Sequence, residues 1–424
     1  MNTLIKNVEI MQGTDCITAN IAIAGNKISY IGSQIPADTK FDKIIDGSGN
    51  FAAPGFVNAH THAAMTLFRS YADDMFLMDW LQNKIWPAEA KLVAEDIYWG
   101  SMLAIAEMLK TGTTCFADMY FFMDQTAKAV EESGIRASLA RGLVGVTPDA
   151  DDKLRENIVF CQSWQGKANG RITTMFGPHA PYTCPPEYLL KVVDEARKLG
   201  VELHMHLSET KDEVDTCIEK FGVTPIEHVN KLGLLDCGML AAHCVHVTDA
   251  DIQIMREKNV RVAHNPQSNL KLASGIAPVQ AMLDAGLTVA LGTDGATSNN
   301  NLDMLEEVRL AATLHKVREN NPKVVPAATA LQMGTEFGAK ALGLSDVGCL
   351  QVGYKADIVL YDMSNTTWAP KHDRTSLLVY SANSTDAHTV LVDGKVLLEK
   401  GQLTTIDLEK VMFEVCERGQ RLVK

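Results

Sequence analysis

The segment GFVNAH (55–60) is a short apolar run that closes on a histidine, and it is the first of eight of its kind. TTCFADM (113–119), ASLARGLV (137–144), ITTMFGP (172–178), VELHMH (201–206), MLAAHC (239–244), VRVAHN (260–265) and TVALGTD (288–294) follow it. Longer amphipathic stretches separate them. Two of these, AEDIYWGSMLAIAEMLKTG (94–112) and PEYLLKVVDEARKLG (186–200), carry helical spacing and end on glycine, as helix C-termini often do. Strand and helix in alternation signify βα units around a parallel sheet. Eight such units in roughly 290 residues suit a (β/α)8 TIM-type barrel, whose usual size is ~250 residues. An open doubly wound sheet has the same local pattern, and periodicity alone does not separate the two.

Outward from this block the texture changes. LIKNVEIM, NIAIAGNKISYIG and DKIIDGSGN, before residue 51, are β-rich runs broken by Gly, Asn and Asp, and GYKADIVLYDM and HTVLVDGKVLLEKGQL, after residue 346, repeat that style. The two ends are expected to join as one small domain. The boundaries are then 1–54 and 346–424 for the two parts of a β-sandwich and 55–345 for the barrel. The letters GSGNFA (47–52) match a dinucleotide-binding fingerprint, but Pro54-Gly55 and a strand follow where that motif needs a helix, so no phosphate cradle is expected.

Composition narrows the function. The 424 residues are 46% hydrophobic and 21% charged, an ordinary globular balance. A net charge of −13 argues against a nucleic-acid partner, whose phosphates need a basic face. There is no apolar run of membrane length and no signal-peptide pattern in MNTLIKNVEIMQGTD, so no membrane partner and a cytoplasmic location are expected. The nine cysteines are scattered without a C-x-x-C pair and read as reduced, mostly buried thiols. Oligomeric state is left open, a homo-oligomer included.

His60 and His62 end the first run. Alternation along an extended chain turns both to one side, where two imidazoles can meet one ion. His206, His243 and Asp294 end the fifth, sixth and eighth runs. In a parallel barrel all these ends open on the face that carries active sites, so the set converges on it. Imidazoles with a carboxylate suit a divalent borderline metal such as Zn²⁺, with a position left for water. Glu209, three residues past His206, is placed to carry protons, although SETKDE also reads as a helix start. His204 is in phase with His206 but one pleat deeper, and reads as core.

PGFVNAHTH (54–62), HLSET (206–210), AAHCVH (241–246), HNPQSNLKLASGIAP (264–278) and LGTDGATSNN (291–300), with KADIVLYD (355–362) near the other end, give the chain a resemblance to the amidohydrolase superfamily. Within it the sequence resembles the 5-methylthioadenosine/S-adenosylhomocysteine deaminases. The resemblance implies a metal-dependent barrel with a small β-sandwich, one zinc or another divalent ion per subunit, and hydrolytic deamination of an adenosine-type nucleoside at C6. It carries the metal role onto His60, His62, His206 and Asp294. The proton-carrying roles fall on Glu209 and Asp294, and His243 becomes a hydroxide-orienting group. In the substrate pocket it implies Trp80 as an apolar wall, Glu89 on the ribose hydroxyls, Arg141 and His179. Related sequences can carry a second arginine in the loop after the third strand; here DADDKLREN (149–157) has Lys153 at that place and Arg155 two residues on. A lysine keeps the charge without the planar fork that grips a carboxylate. The alternatives are a deaminase or dechlorinase of another heterocycle such as guanine, cytosine or a triazine, and a metal-binding barrel without catalysis.

Overall fold

A computed structural model describes residues 1–13, 15–36 and 39–424. Among these residues the chain forms two sheets. The eight apolar runs become strands β1 (Phe56–Thr61), β2 (Thr113–Tyr120), β3 (Arg136–Leu143), β4 (Ile172–Pro178), β5 (Leu203–Leu207), β6 (Met239–His243), β7 (Arg261–His264) and β8 (Thr288–Leu291). Each pairs in parallel with the next, in unbroken chain order. A doubly wound sheet would reverse its order part-way. Here the last strand instead returns to the first: Asp294 N donates to His60 O at 3.0 Å, and Thr293 N to Asn58 Oδ1 at 3.1 Å. The fold is therefore a nearly closed barrel.

Gly292 explains how the ends come so close. A Cβ there would stand 2.5 Å from Asn265 Oδ1 and 2.8 Å from both His60 N and His60 O. Only a residue without a side chain fits between β8 and β1. The strands are buried on both faces, and successive residues serve different cores. Ala140, Met175, Leu240, Ala263 and Ala290 share one small cluster, while Leu139, Phe176, Ala241, Val262 and Val289 join the larger one that includes the surrounding helices. The helix Pro186–Leu199 ends at Gly200, whose φ of +65° supplies the left-handed stop that its sequence promised.

The second sheet is built from both chain ends. Asn50–Pro54 pairs antiparallel with Ile358–Asp362, bringing the amino-terminal strands Asn2–Gln12, Asp15–Ala24 and Lys27–Gly32 beside Ala387–Val392 and Lys395–Glu399. Alternation sorts its faces: Phe51, Val359, Tyr361 and Val390 pack toward the barrel's helices, and Ala52, Ile358, Leu360 and Leu391 pack on Ile5, Ile21 and Ile23. Asn50–Pro54 is itself a strand, so the GSGNFA letters open no phosphate-binding helix.

Candidate active site

The strand ends deliver five side chains to one point. His206 Nε2 lies 3.3 Å from His62 Nε2, and Asp294 Oδ1 lies 3.3 Å from His62 Nε2 and 3.5 Å from His60 Nε2. The donor atoms of His60, His62 and His206, and those of His60, His243 and Asp294, fall within 4.8 Å of one another. The imidazoles are aimed by their other nitrogens. His62 Nδ1 donates to Met119 O at 2.6 Å and His206 Nδ1 to His179 O at 2.8 Å, which turns each Nε2 inward. His60 Nδ1 is 2.9 Å from His204 Nε2, so the core histidine orients its neighbour.

His60 Nε2 is buried without a hydrogen-bond partner. An orphan lone pair at the centre of a buried histidine cluster is what a cation site leaves behind. Burial pushes the His60 ring down to about 4 and His206 well below the ordinary imidazole value, so both are neutral donors. Burial also works against charge on His62, yet the Asp294 carboxylate beside it holds it up at about 9. Burial opposes ionisation of Asp294 too, and His60 and His62 more than offset it, keeping that carboxyl well below the usual range. Its Oδ2 accepts from Ser268 Oγ at 2.6 Å and Ser298 Oγ at 2.9 Å, which turns Oδ1 to the histidines. The neutral nitrogens of His60 and His206, the ionised Asp294 carboxylate and an unpaired lone pair together fit a divalent ion, which would displace the proton from His62.

Glu209 stands beside this cluster and outside the helix that follows. Thr210 caps that helix and Lys211–Phe221 forms it, so Glu209 is left free to face the cavity. Its Oε2 is 3.8 Å from His243 Nε2, and burial raises its pKa above the ordinary carboxylate value. His243 Nδ1 is 2.9 Å from Asn269 Oδ1.

A cavity of ≈ 350 Å³ opens over the cluster and is lined by Trp80, Glu89, Lys153 and His179 as well as Glu209 and Asp294. Trp80 and Glu89 lie on one irregular helical segment: Leu77–Trp80 and Trp86–Glu89 flank the wider π turn Leu81–Ile85. The Glu89 carboxyl accepts from Tyr120 Oη at 2.6 Å and is pushed up to about 7 by burial. His179 Nδ1 is paired with Thr183 Oγ1 at 2.9 Å.

The stretch 149–157 is not a loop. It enters the helix Ala150–Trp164, with Lys153 in the first turn and its Nζ 3.1 Å from Asp149 Oδ2. Two positions along a helix turn a side chain by ~200°. Arg155, two residues on, accordingly faces a neighbouring cleft and pairs with Asp152, and Arg141 faces the same cleft and pairs with Glu156. Lys153 is thus brought to the cavity, whereas Arg141 and Arg155 are not. Glu213, Ser268, Ser298 and Asn269 escaped the sequence reading, because each bonds a residue on another turn or another strand and leaves no periodic trace.

Residues 51–397 match the amidohydrolase family. The chain belongs to that family. This amidohydrolase is 53% identical over 427 residues to the 5-methylthioadenosine/S-adenosylhomocysteine deaminase of Carboxydothermus hydrogenoformans, covering 100% of this chain and 99% of the relative. The protein of the same name from Dictyoglomus thermophilum is 51% identical, with 100% of both chains covered. Among solved structures, an adenosine deaminase from Xanthomonas campestris with bound zinc superposes on this amidohydrolase with a TM-score of 0.94 at 35% identity, covering 99% and 98% of the two chains. A zinc-complexed atrazine chlorohydrolase from Arthrobacter aurescens reaches 0.90 at 26% identity, over 98% of this chain and 100% of that one.

Proposed function

We propose that this amidohydrolase hydrolyses the 6-amino group of adenosine-type nucleosides, 5′-methylthioadenosine and S-adenosylhomocysteine foremost, giving the inosine analogue and ammonia. The observation that carries this reading is the Glu209 carboxyl at 3.8 Å from His243, over a histidine–aspartate cluster, in a cavity whose wall also holds Glu89. The relatives matched over their full length, both named 5-methylthioadenosine/S-adenosylhomocysteine deaminase, support the choice of substrate. The division into 1–54, 55–345 and 346–424 is proposed with it. No helix among the described residues is long and apolar enough to cross a membrane, and nine free thiols support a reducing, cytoplasmic setting.

His60, His62, His206 and Asp294 would hold one divalent ion, and we assign zinc. When bound, such an ion supplies a water that ionises near neutral pH. Asp294 takes a proton from the attacking water, and His243 holds that water's oxygen by a hydrogen bond. Glu209 delivers its proton to ring nitrogen N1, which makes C6 electrophilic. The water's oxygen bonds to C6 and the C6–N bond then breaks, with the leaving nitrogen taking the proton held by Asp294 and the C6 hydroxyl passing its proton back to Glu209, so that water and nucleoside balance ammonia and the 6-oxo product. Glu89 accepts hydrogen bonds from the ribose 2′ and 3′ hydroxyls, Trp80 covers the thioether and His179 flanks the nucleoside. Lys153, already paired with Asp149, offers an amino-acid tail a point charge and no fork.

The test is ammonia release from 5′-methylthioadenosine, S-adenosylhomocysteine and adenosine by protein shown by elemental analysis to carry one divalent ion per chain. 5′-Methylthioadenosine should be used at least as well as S-adenosylhomocysteine, and Lys153→Arg should raise kcat/KM for the latter by about tenfold, the equivalent of one added charge-assisted hydrogen bond. No ammonia from any of the three, or release only from a triazine or another base, overturns the reading.

A further inference from the structure

Glu213 is a buried carboxylate that the reaction does not use. It occupies the third position of the helix Lys211–Phe221, where Glu commonly reaches back to the backbone N–H of the capping residue. Glu213 does otherwise. Its backbone N–H donates to Thr210 Oγ1 at 3.2 Å, but its carboxylate passes over the cap: Oε1 accepts from Ser208 N at 2.9 Å and Oε2 from Glu209 N at 2.8 Å. Both oxygens are therefore committed to the two residues that follow β5, the second of them the proton donor.

The corner they grip needs holding. Ser208 has φ of +52°, a left-handed conformation that a residue with a side chain adopts only under constraint. The opposing corner, at the end of β6, is bent the same way, with His243 at +73° and Cys244 at +48°. The two corners are tied through two carbonyls: Leu207 O accepts from Cys244 N at 3.0 Å, and Ser208 O from Val245 N at 3.0 Å and His246 N at 2.9 Å. Glu213 thus clamps Ser208 from its amide side while the β6 corner clamps it from its carbonyl side. Between the corners lies the 3.8 Å separation of Glu209 Oε2 and His243 Nε2.

We propose that Glu213 is a positioning residue for the Glu209 carboxyl: by accepting the Ser208 and Glu209 amides it fixes where the proton donor stands relative to His243 and the reacting carbon. The inference rests on the function proposed above for Glu209. Its structural half, that this carboxylate holds those two amides, stands without it.

The experiment uses the full-length, zinc-loaded chain as wild type, Glu213→Ala and Glu213→Gln, with deuterium uptake of peptides spanning 207–210, metal content, and kcat and KM for 5′-methylthioadenosine. Alanine removes both acceptors and glutamine one of them. In Glu213→Ala the Ser208 and Glu209 amides should exchange about tenfold faster or more, as local hydrogen bonds open. Its kcat should fall by ~10²-fold, the scale of a 1 Å misplacement, while KM and metal content hold. Glu213→Gln should be intermediate in both readouts, and it carries the test if the alanine variant does not fold. Unchanged uptake overturns the proposal, and so does faster uptake with kcat retained. Loss of metal and of kcat together in both variants also overturns it, since that marks general loosening. If the wild type releases no ammonia from any nucleoside, the functional reading falls, and uptake alone then decides whether Glu213 holds the corner.

Discussion

The barrel buries charge at both of its ends, and the two places are built on opposite plans. At the amino end of β3, Arg136 meets Asp357 through Nε at 2.9 Å and Nη2 at 3.2 Å, and Asp393 through Nη2 at 2.8 Å; Asp393 N closes the ring on Asp357 Oδ1 at 2.7 Å. Burial works against that guanidinium, and the two carboxylates more than restore its charge. Donors face acceptors throughout, and the cluster joins barrel to outer sheet. At the carboxyl end, ring nitrogens crowd together instead: His62 and His206 point their Nε2 atoms at each other across 3.3 Å, and His60 Nε2 has no hydrogen-bond partner. Satisfied buried charge holds a fold together. Unsatisfied buried polarity waits for a ligand.

The contrast is sharpest in Glu209→Gln. Ammonia release should fall by ~10²–10⁴-fold, since an acid–base group is removed. Thermal stability should not fall, because the substitution takes away a carboxyl whose ionisation burial already opposes. A melting temperature that drops with activity would break the distinction. The mirror experiment is Arg136→Ala, which strands two buried carboxylates and should cost about 3–5 kcal/mol in denaturant unfolding. The kcat of the protein that remains folded should stay near that of the parent, and a selective loss of kcat would show that the junction belongs to the site after all.

A smaller effect probes a group intermediate between the two plans. Glu89 is half-buried with a single partner, Tyr120, and desolvation pushes its carboxyl up to about 7, with His62 the nearby charge that opposes the rise. Below that value it is protonated and loses an acceptor for the ribose hydroxyls; above it the carboxylate is restored. kcat/KM for a riboside should therefore rise as pH increases through about 7, while Glu89→Gln flattens that limb and a 2′,3′-dideoxy analogue does not show it. An unchanged limb in Glu89→Gln assigns the titration elsewhere.

How much of this was legible beforehand depended on whether the signal was local. The barrel strands showed themselves because each apolar run stops where the chain leaves the core, and His60, His206 and His243 sit at those stops. The pairing of Asn50–Pro54 with Ile358–Asp362 was foreshadowed by a shared texture at the two ends, though not its register. The direction of Arg155 was not legible, since it turns on the helix starting at Ala150 and not several residues later. Nor was the Glu213 clamp, which looks in sequence like an ordinary helix start and differs from one only through the left-handed turn at Ser208. His204 was visible as core, but its bond to His60 joins β5 to β1 across 144 positions, and no periodicity reports that.

The seam between β8 and β1 bears on the order of events during synthesis. Asn58 Nδ2 and Thr293 Oγ1 meet at 2.7 Å across 235 residues of chain, and the proposed donors His60 and Asp294 flank that contact. Contacts so distant in sequence form late, after nearer elements have condensed. A nascent chain on the ribosome thus displays the His60–His62 pair long before Asp294 has emerged, and the complete set of donors exists only when the last strand has docked on the first. Ion capture then reports a finished ring: a molecule arrested short of closure lacks the carboxylate and cannot be locked by the cation, whereas a closed one is stabilised by it.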